Sequence, residues 1–455
     1  MTPIKGIPEA LNKPVFVGVF ALSDRQRLPC SLRRSPVNPF QQHRQLRRAD
    51  HKLAPRRRRP DDMAFLPAGV ASCGVSDFES DQLGENIMEE VHAFVGLDVH
   101  KATITVAVAD AGREGEVRHV GTIENNPEAI AKLVRRLGRR HGAVEFVYEA
   151  GSCGYNVQRQ IAGLGFACRV CAPSLTPRKP GDRIKNDRRD AIALARLLRA
   201  GELTYVWVPD PLHEALRDLV RARHAATQDV RRDRIRIQAF LLRHDLRFEG
   251  KAWSSRHRKW MLNRRFVHPA QQIAFQFYLN ALEHDEAHKV GVEAQIKELL
   301  ATSPWAAQMQ ALQALRGVGP IVAATVLAEV GDFSRFAHPR QLVAYFGLAP
   351  GEHSSGSTVR PRGITKAGSS IARSVLCEAA WNYRTTPKVG QWMKEHRPPV
   401  PQDIIALAWK AQLRLHKTYR RLSARGKRSV VVIAAVAREL LCFIWSIGQR
   451  VPLGA

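Results

Sequence analysis

Three short β-rich runs that begin abruptly at His92 constrain this chain more than any other feature. Ala93 to Leu97, Thr103 to Ala109 and Val117 to Ile123 are rich in β-branched and small apolar residues, and turn-like Gly and charged residues separate them. Such spacing predicts three consecutive hairpin-linked strands. Pro127 then opens an amphipathic run with Ile130, Leu133, Val134 and Leu137 at helical intervals, and proline suits a first helical turn. Val144 to Tyr148 predicts an apolar strand, Tyr155 to Leu164 a second helix, and Ala167 to Cys171 one more short strand.

The order β-β-β-α-β-α-β, followed by a helix with two acids, is that of the ribonuclease-H-like fold. That helix starts in Lys185-Asn186-Asp187-Arg188-Arg189-Asp190-Ala191. Asp187 and Asp190 lie three apart and share a face. Ile192, Leu194, Ala195, Leu197 and Leu198 form the buried stripe, so both acids project from the first turn, near the positive end of the helix dipole. Asp98 ends the first strand and Glu149 ends the strand Val144 to Tyr148. Ligands of open α/β sheets bind where the parallel strands end. Four carboxylates gathered there repel one another unless a cation sits between them, and hard oxygen ligands favour Mg²⁺ or Mn²⁺. Two such cations would clamp a scissile phosphate. An isolated Asp-x-x-Asp is an ordinary N-terminal charge bias, so the metal expectation rests on all four positions together.

Charge points to the same class of partner. The chain has 455 residues, enough for two or three domains, and its 70 Lys and Arg against 42 Asp and Glu give a net charge of +28. A polyanion, nucleic acid first, is the expected partner. No uninterrupted apolar run of membrane-spanning length and no signal-peptide pattern occurs, which predicts a cytoplasmic protein without a membrane partner. The odd count of 7 cysteines argues against a disulfide framework. Cys168 and Cys171, the lone C-x-x-C, read as two small residues of a buried strand rather than as a zinc half-site. Residues 1–87 are Pro- and Arg-rich without periodicity and predict disorder. They hold 14 Lys and Arg against 9 acids, so most of the positive charge belongs to the remainder. Met88 makes an over-called start the plain account of this extension, and a nucleic-acid-binding arm the sharper one.

Downstream, Leu212 to about Leu246 is Arg-dense with a single narrow apolar seam, and Gln272 to Leu300 completes an antiparallel, coiled-coil-like hairpin. Between them, Trp253, Trp260 and Phe266 alternate with Arg256, Arg258, Lys259, Arg264 and Arg265, a pattern that serves base stacking or helix packing equally. Residues 305–455 predict a helical domain. It opens with Gly317-Val318-Gly319-Pro320, a helix-hairpin-helix-like turn whose Gly317 and Gly319 let backbone approach a phosphate. Gly351 to Gly363 is a polar, Ser-rich loop containing Ser354, Ser355 and Ser357. Arg360, Arg362, Lys366 and Arg373 follow it, cations of the kind that stabilise charge on a transferring phosphoryl group.

Phe94-Val95-Gly96-Leu97-Asp98-Val99-His100-Lys101, Tyr148-Glu149-Ala150-Gly151 and Lys185 to Ala191 resemble the motifs of the DEDD transposases, bacterial insertion-sequence recombinases with a RuvC-like N-terminal domain. From Met88 on, the resemblance covers nearly the whole chain, with Asn186 standing where that family usually shows Thr. It implies an α/β RuvC-like domain at 88–208, a helical linker at 209–304 and a C-terminal transposase domain at 305–455. It implies that Asp98, Glu149, Asp187 and Asp190 are catalytic metal ligands and that Ser355, before Gly356, is a nucleophile acting on double-stranded DNA. Ser354 and Ser357 remain open as rivals. A homo-oligomer, dimer or tetramer, and a structured guide RNA are further implications, as is work at the nucleoid. The alternatives are a metal-only junction nuclease and a catalytically dead nucleic-acid-binding remnant.

Overall fold

In the sheet domain, side-chain alternation decides which helix covers which face. The computed structural model describes residues 91–177, 186–356, 358, 360–390 and 399–453. The extension 1–87, Lys185 and Ser357 fall outside these. Five strands, β1 (Ala93–Val99), β2 (Thr103–Asp110), β3 (Val117–Glu124), β4 (Val144–Glu149) and β5 (Ala167–Cys171), form one sheet in the order β3-β2-β1-β4-β5. The first three run antiparallel as a meander, and β4 and β5 run parallel to β1. Helices α1 (Pro127–His141) and α2 (Asn156–Gly163) supply the crossovers. This is the mixed sheet expected of a ribonuclease-H-like domain.

On one face Val95, Leu97, Phe146, Tyr148 and Val170 pack with Ile130, Val134 and Ile161. On the other, Val147 and Cys171 meet Leu194 and Leu198 of α3 (Asp187–Ala200), and Ala107 and Ala109 meet its Ala191 and Ala195. The period of two therefore separates Cys168, in the first core, from Cys171, in the second. They cannot share a metal ion, and burial pushes their thiols up to about 12 and about 11.

Two helices of 33 residues, α4 (Pro211–Arg243) and α6 (Pro269–Ala301), lie side by side. The basic segment between them holds a helix the periodicity did not predict, α5 (Ser255–Leu262), capped by Ser254. Trp253, Trp260 and Phe266 pack around Phe240, Phe275 and Met261 there, so packing accounts for these aromatics.

The C-terminal region comprises α7 (Ala306–Leu312), α8 (Pro320–Val330), α9 (Pro339–Tyr345), α10 (Ser370–Ala380), α11 (Gln402–Ala424) and α12 (Ser429–Gly448). Helix α12 has the length and composition to cross a membrane, with a mean hydropathy of 2.2, although it holds no uninterrupted apolar run of that length. Arg438 and Glu439 interrupt its apolar run and hid it from a count of consecutive residues. Its Val432, Val436, Leu440, Leu441, Ile444 and Ile447 are all buried in the core shared with α8, α10 and α11. The expected Ser-rich loop needs correcting. It is a ribbon of β6 (Pro350–Glu352) and β7 (Pro361–Ile364), extended by an antiparallel bridge between Ser355 and Thr358.

Candidate metal centre and serine ribbon

Gly96 determines how closely α3 approaches the strand that bears Asp98. A Cβ built at Gly96 would fall 2.3 Å from the Ala191 carbonyl oxygen and 2.5 Å from the Ala195 amide. No side chain fits, so helix backbone rests almost directly on β1. Gly96 and Asp98 are two apart and share this face. At the helix start, the Asn186 side chain accepts a 2.8 Å hydrogen bond from the Arg189 amide, a regular N-cap that makes Asp187 the first helical residue. Asn thus does locally what the Thr of the resembling family would do.

Asp98 lies one residue inside β1, still paired with Thr105, rather than after the strand. The His100 Nε2 is 3.3 Å from Asp98 Oδ2 and 3.7 Å from Asp187 Oδ1. One ligand atom from each of Asp98, His100 and Asp187 can be chosen so that all lie within 4.8 Å of one another. Burial raises the Asp98 carboxyl above the usual carboxylate range, Asp187 and Asp190 push the same way, and His100 opposes them. The mutual repulsion of the acids is therefore felt at Asp98.

Of the four expected acids, Asp98 and Asp187 bring carboxylate oxygens within 4.8 Å of each other beside His100, and Asp187 and Asp190 both act on Asp98 through their charge. Glu149 ends β4 opposite Cys171, on the strand whose Tyr148 pairs with Leu97. It lies at the same sheet edge but outside the tight group of three. Sequence reasoning missed His100 as a donor, although the signal was present two residues after Asp98. The donor set fits a hard divalent cation at an exposed edge. An imidazole nitrogen moves such a site away from Mg²⁺ toward transition metals, and Mn²⁺ is the one that carboxylates also suit.

Ser355 lies at the tip of the β6–β7 ribbon, where it exchanges two backbone hydrogen bonds of 3.1 Å with Thr358 and precedes Gly356 at φ 56°. Ser354 donates to Glu352 Oε1 at 2.5 Å and accepts 3.3 Å from the Arg360 amide. The Ser355 hydroxyl has no partner among the described residues. Arg360, Arg362 and Lys366 are exposed along the return strand and its exit. Arg373 is differently placed, because its Nη1 donates to the carbonyls of Phe346, Ala367 and Gly368 and staples the ribbon's base to the bundle. Gly317 also faces protein, since a Cβ there would lie 2.5 Å from the Ala379 carbonyl oxygen, whereas Gly319 opens onto free space at the start of α8.

Comparison with known proteins matches both halves. A family model described as transposase IS116/IS110/IS902 family matches residues 309–396, and a second, a transposase model of the DEDD IS110 type, matches residues 95–244. The chain is 48% identical over 368 residues to "Putative transposase y4qE" of Sinorhizobium fredii, spanning 81% of this chain and 91% of the relative. It is 32% identical over 343 residues to the transposase for insertion sequence element IS1533 of Leptospira borgpetersenii, spanning 74% and 98%. A pilin gene-inverting protein of Moraxella bovis is 24% identical over 269 residues, 59% of this chain and 67% of that protein.

Proposed function

The chain belongs to the IS116/IS110/IS902 family of transposases and is a DNA transposase, and from that premise we propose a division of labour between its two halves. The sheet edge binds divalent metal through Asp98, Asp187, Glu149 and Asp190, with His100 as an additional donor. When bound, the metal supplies Lewis-acid polarisation of a phosphodiester and neutralises its charge. The convergence of Asp98, His100 and Asp187 within 4.8 Å is the observation that carries this reading.

Ser355 on the ribbon is the nucleophile. Its Oγ forms a bond to phosphorus as the P–O3′ bond breaks, the serine proton passes by way of solvent to the leaving oxygen, and a phosphoserine link and free 3′-OH result. Attack of a partner strand's 3′-OH then reverses the step and restores the serine. Support for Ser355 over Ser354 comes from the hydrogen bonds that already occupy the Ser354 hydroxyl. Arg360, Arg362 and Lys366 would stabilise charge at phosphorus, and Gly319 would receive a backbone phosphate. Exchange between two duplexes calls for a homo-oligomer. A structured RNA that selects them, and action at the nucleoid, complete the reading. The relative whose name describes inversion of a pilin gene is in keeping with conservative strand exchange.

Two tests separate the halves. Asp98→Asn and Asp187→Asn should abolish the rise in Tm caused by Mn²⁺ and slow strand cleavage by at least about 100-fold. An undiminished Mn²⁺ response would remove the metal site. Ser355→Ala should lose cleavage and the protein–DNA adduct on a denaturing gel, while Ser354→Ala keeps both. An active Ser355→Ala protein without adduct would leave a metal-only nuclease as the better reading.

A further inference from the structure

We propose that the row of cations along α11, ending at the start of α12, is a docking surface for the phosphate backbone of duplex DNA. The proposal rests on the chain being a DNA transposase and adds a surface outside both proposed reactive sites. Lys410, Arg414, Lys417, Arg421 and Arg425 follow at intervals of three or four residues, so they line one exposed face of the helix. At 1.5 Å per residue the row is about 22 Å long, the axial rise of about six phosphates of one DNA strand. Arg420, Lys427 and Arg428 widen it at the α11–α12 turn.

Two observations set this face apart from an ordinary solvated helix surface. First, no acid occurs between Asp403 and Glu439. Among the described residues Arg414 alone of these eight cations has a carboxylate partner, Glu439. An exposed helix of a soluble protein normally intersperses both signs, since like charges along one face repel. Second, the row runs onto the N-terminus of α12, which has no side-chain cap. The Val431 and Val432 amides bond to the Arg428 carbonyl, but those of Ser429 and Val430 have no acceptor among the described residues and add the positive end of a 20-residue helix to the same cluster. A straight rigid row complements a straight rigid duplex better than a flexible single strand, and phosphate contacts of this kind fix register without reading bases.

The test compares two triple variants of the full chain, Lys417→Ala/Arg421→Ala/Arg425→Ala on α11 and Lys132→Ala/Arg135→Ala/Arg139→Ala on the exposed face of α1, which lose equal charge. Binding to a duplex of about 30 base pairs and to a single-stranded RNA of equal charge is followed as salt is varied. For the α11 variant we expect duplex affinity to fall by roughly 10-fold and the slope of log K against log salt to shrink by about 2 to 3, near 0.9 per lost contact. The Mn²⁺-induced rise in Tm should stay unchanged, which reports an intact fold. An unchanged slope, an equal effect from the α1 variant, or a loss confined to RNA would each overturn the proposal. Failure of the unsubstituted chain to bind duplex at all would instead strike at the recombination reading on which it rests.

Discussion

At the scale of single residues, the acids were legible because they sit where strands and helices end, and such positions follow from local pattern. Gly96 was not, since its role exists only once the Ala191 carbonyl oxygen lies 2.3 Å from where a Cβ would be. Gly96→Ala should therefore destabilise by about 1–3 kcal/mol, the usual cost of overpacking, and should weaken the Mn²⁺ response by pushing α3 off β1. A stable protein with a normal Mn²⁺ response would show that α3 is set by something else. Asn186 offers the complementary case. Asn186→Thr should leave stability and cleavage nearly unchanged, whereas Asn186→Ala should cost about 1 kcal/mol in denaturant unfolding, because only the first keeps an acceptor for the Arg189 amide. For His100 only half was local: its nearness to Asp98 two residues away was open to the sequence, whereas its proximity to Asp187 is a product of packing between elements far apart in sequence.

Elements divide by length in how well the sequence predicts them. The long helices α4 and α6 run for about nine turns each, and their observed ends fall within three residues of expectation. Helices α5, α7 and α9 have only 8, 7 and 7 residues, too few for a periodic signal, and the β6–β7 strands, Pro-Gly-Glu and Pro-Arg-Gly-Ile, are rich in Pro and Gly, which strands disfavour. The long hairpin carries its own liability. Asp233 on α4 is buried, Arg236 donates to one of its carboxylate oxygens, the other has no hydrogen-bond partner among the described residues, and the Asp285 carboxyl of α6 acts on it electrostatically. Burial first and Asp285 second hold the Asp233 carboxyl above its ordinary range. A folded-state pKa above the unfolded value means that the stabilisation is present in mild acid and fades as pH rises through the folded pKa. Asp233→Asn should thus raise Tm at pH 7 by about 2 °C or more and flatten its pH dependence. A lower Tm for the variant at pH 7 would contradict this.

For the whole molecule, the joint between the sheet domain and the helices is made of a few specific contacts. The Trp207 ring lies 4.3 Å from the Arg335 guanidinium and 5.2 Å from that of Arg217, over Gly331. Arg217 also donates at 2.8 Å to the Ala328 carbonyl, and Arg159 pairs with Glu214. Trp207→Ala should loosen this joint and speed protease cleavage within 201–210, and Gly331→Ala should do the same by displacing the ring. Unchanged cleavage in both would mean that the joint is held elsewhere. The joint joins rings to guanidiniums and guanidiniums to carbonyls, and among the described residues no buried apolar cluster spans the sheet domain and the helices. Heat capacity on unfolding follows exposed apolar area, and polar exposure lowers it. Parting the halves should therefore appear in calorimetry as a step with almost no change in heat capacity, so that its free energy varies nearly linearly with temperature while each half keeps the curved stability profile of a hydrophobic core.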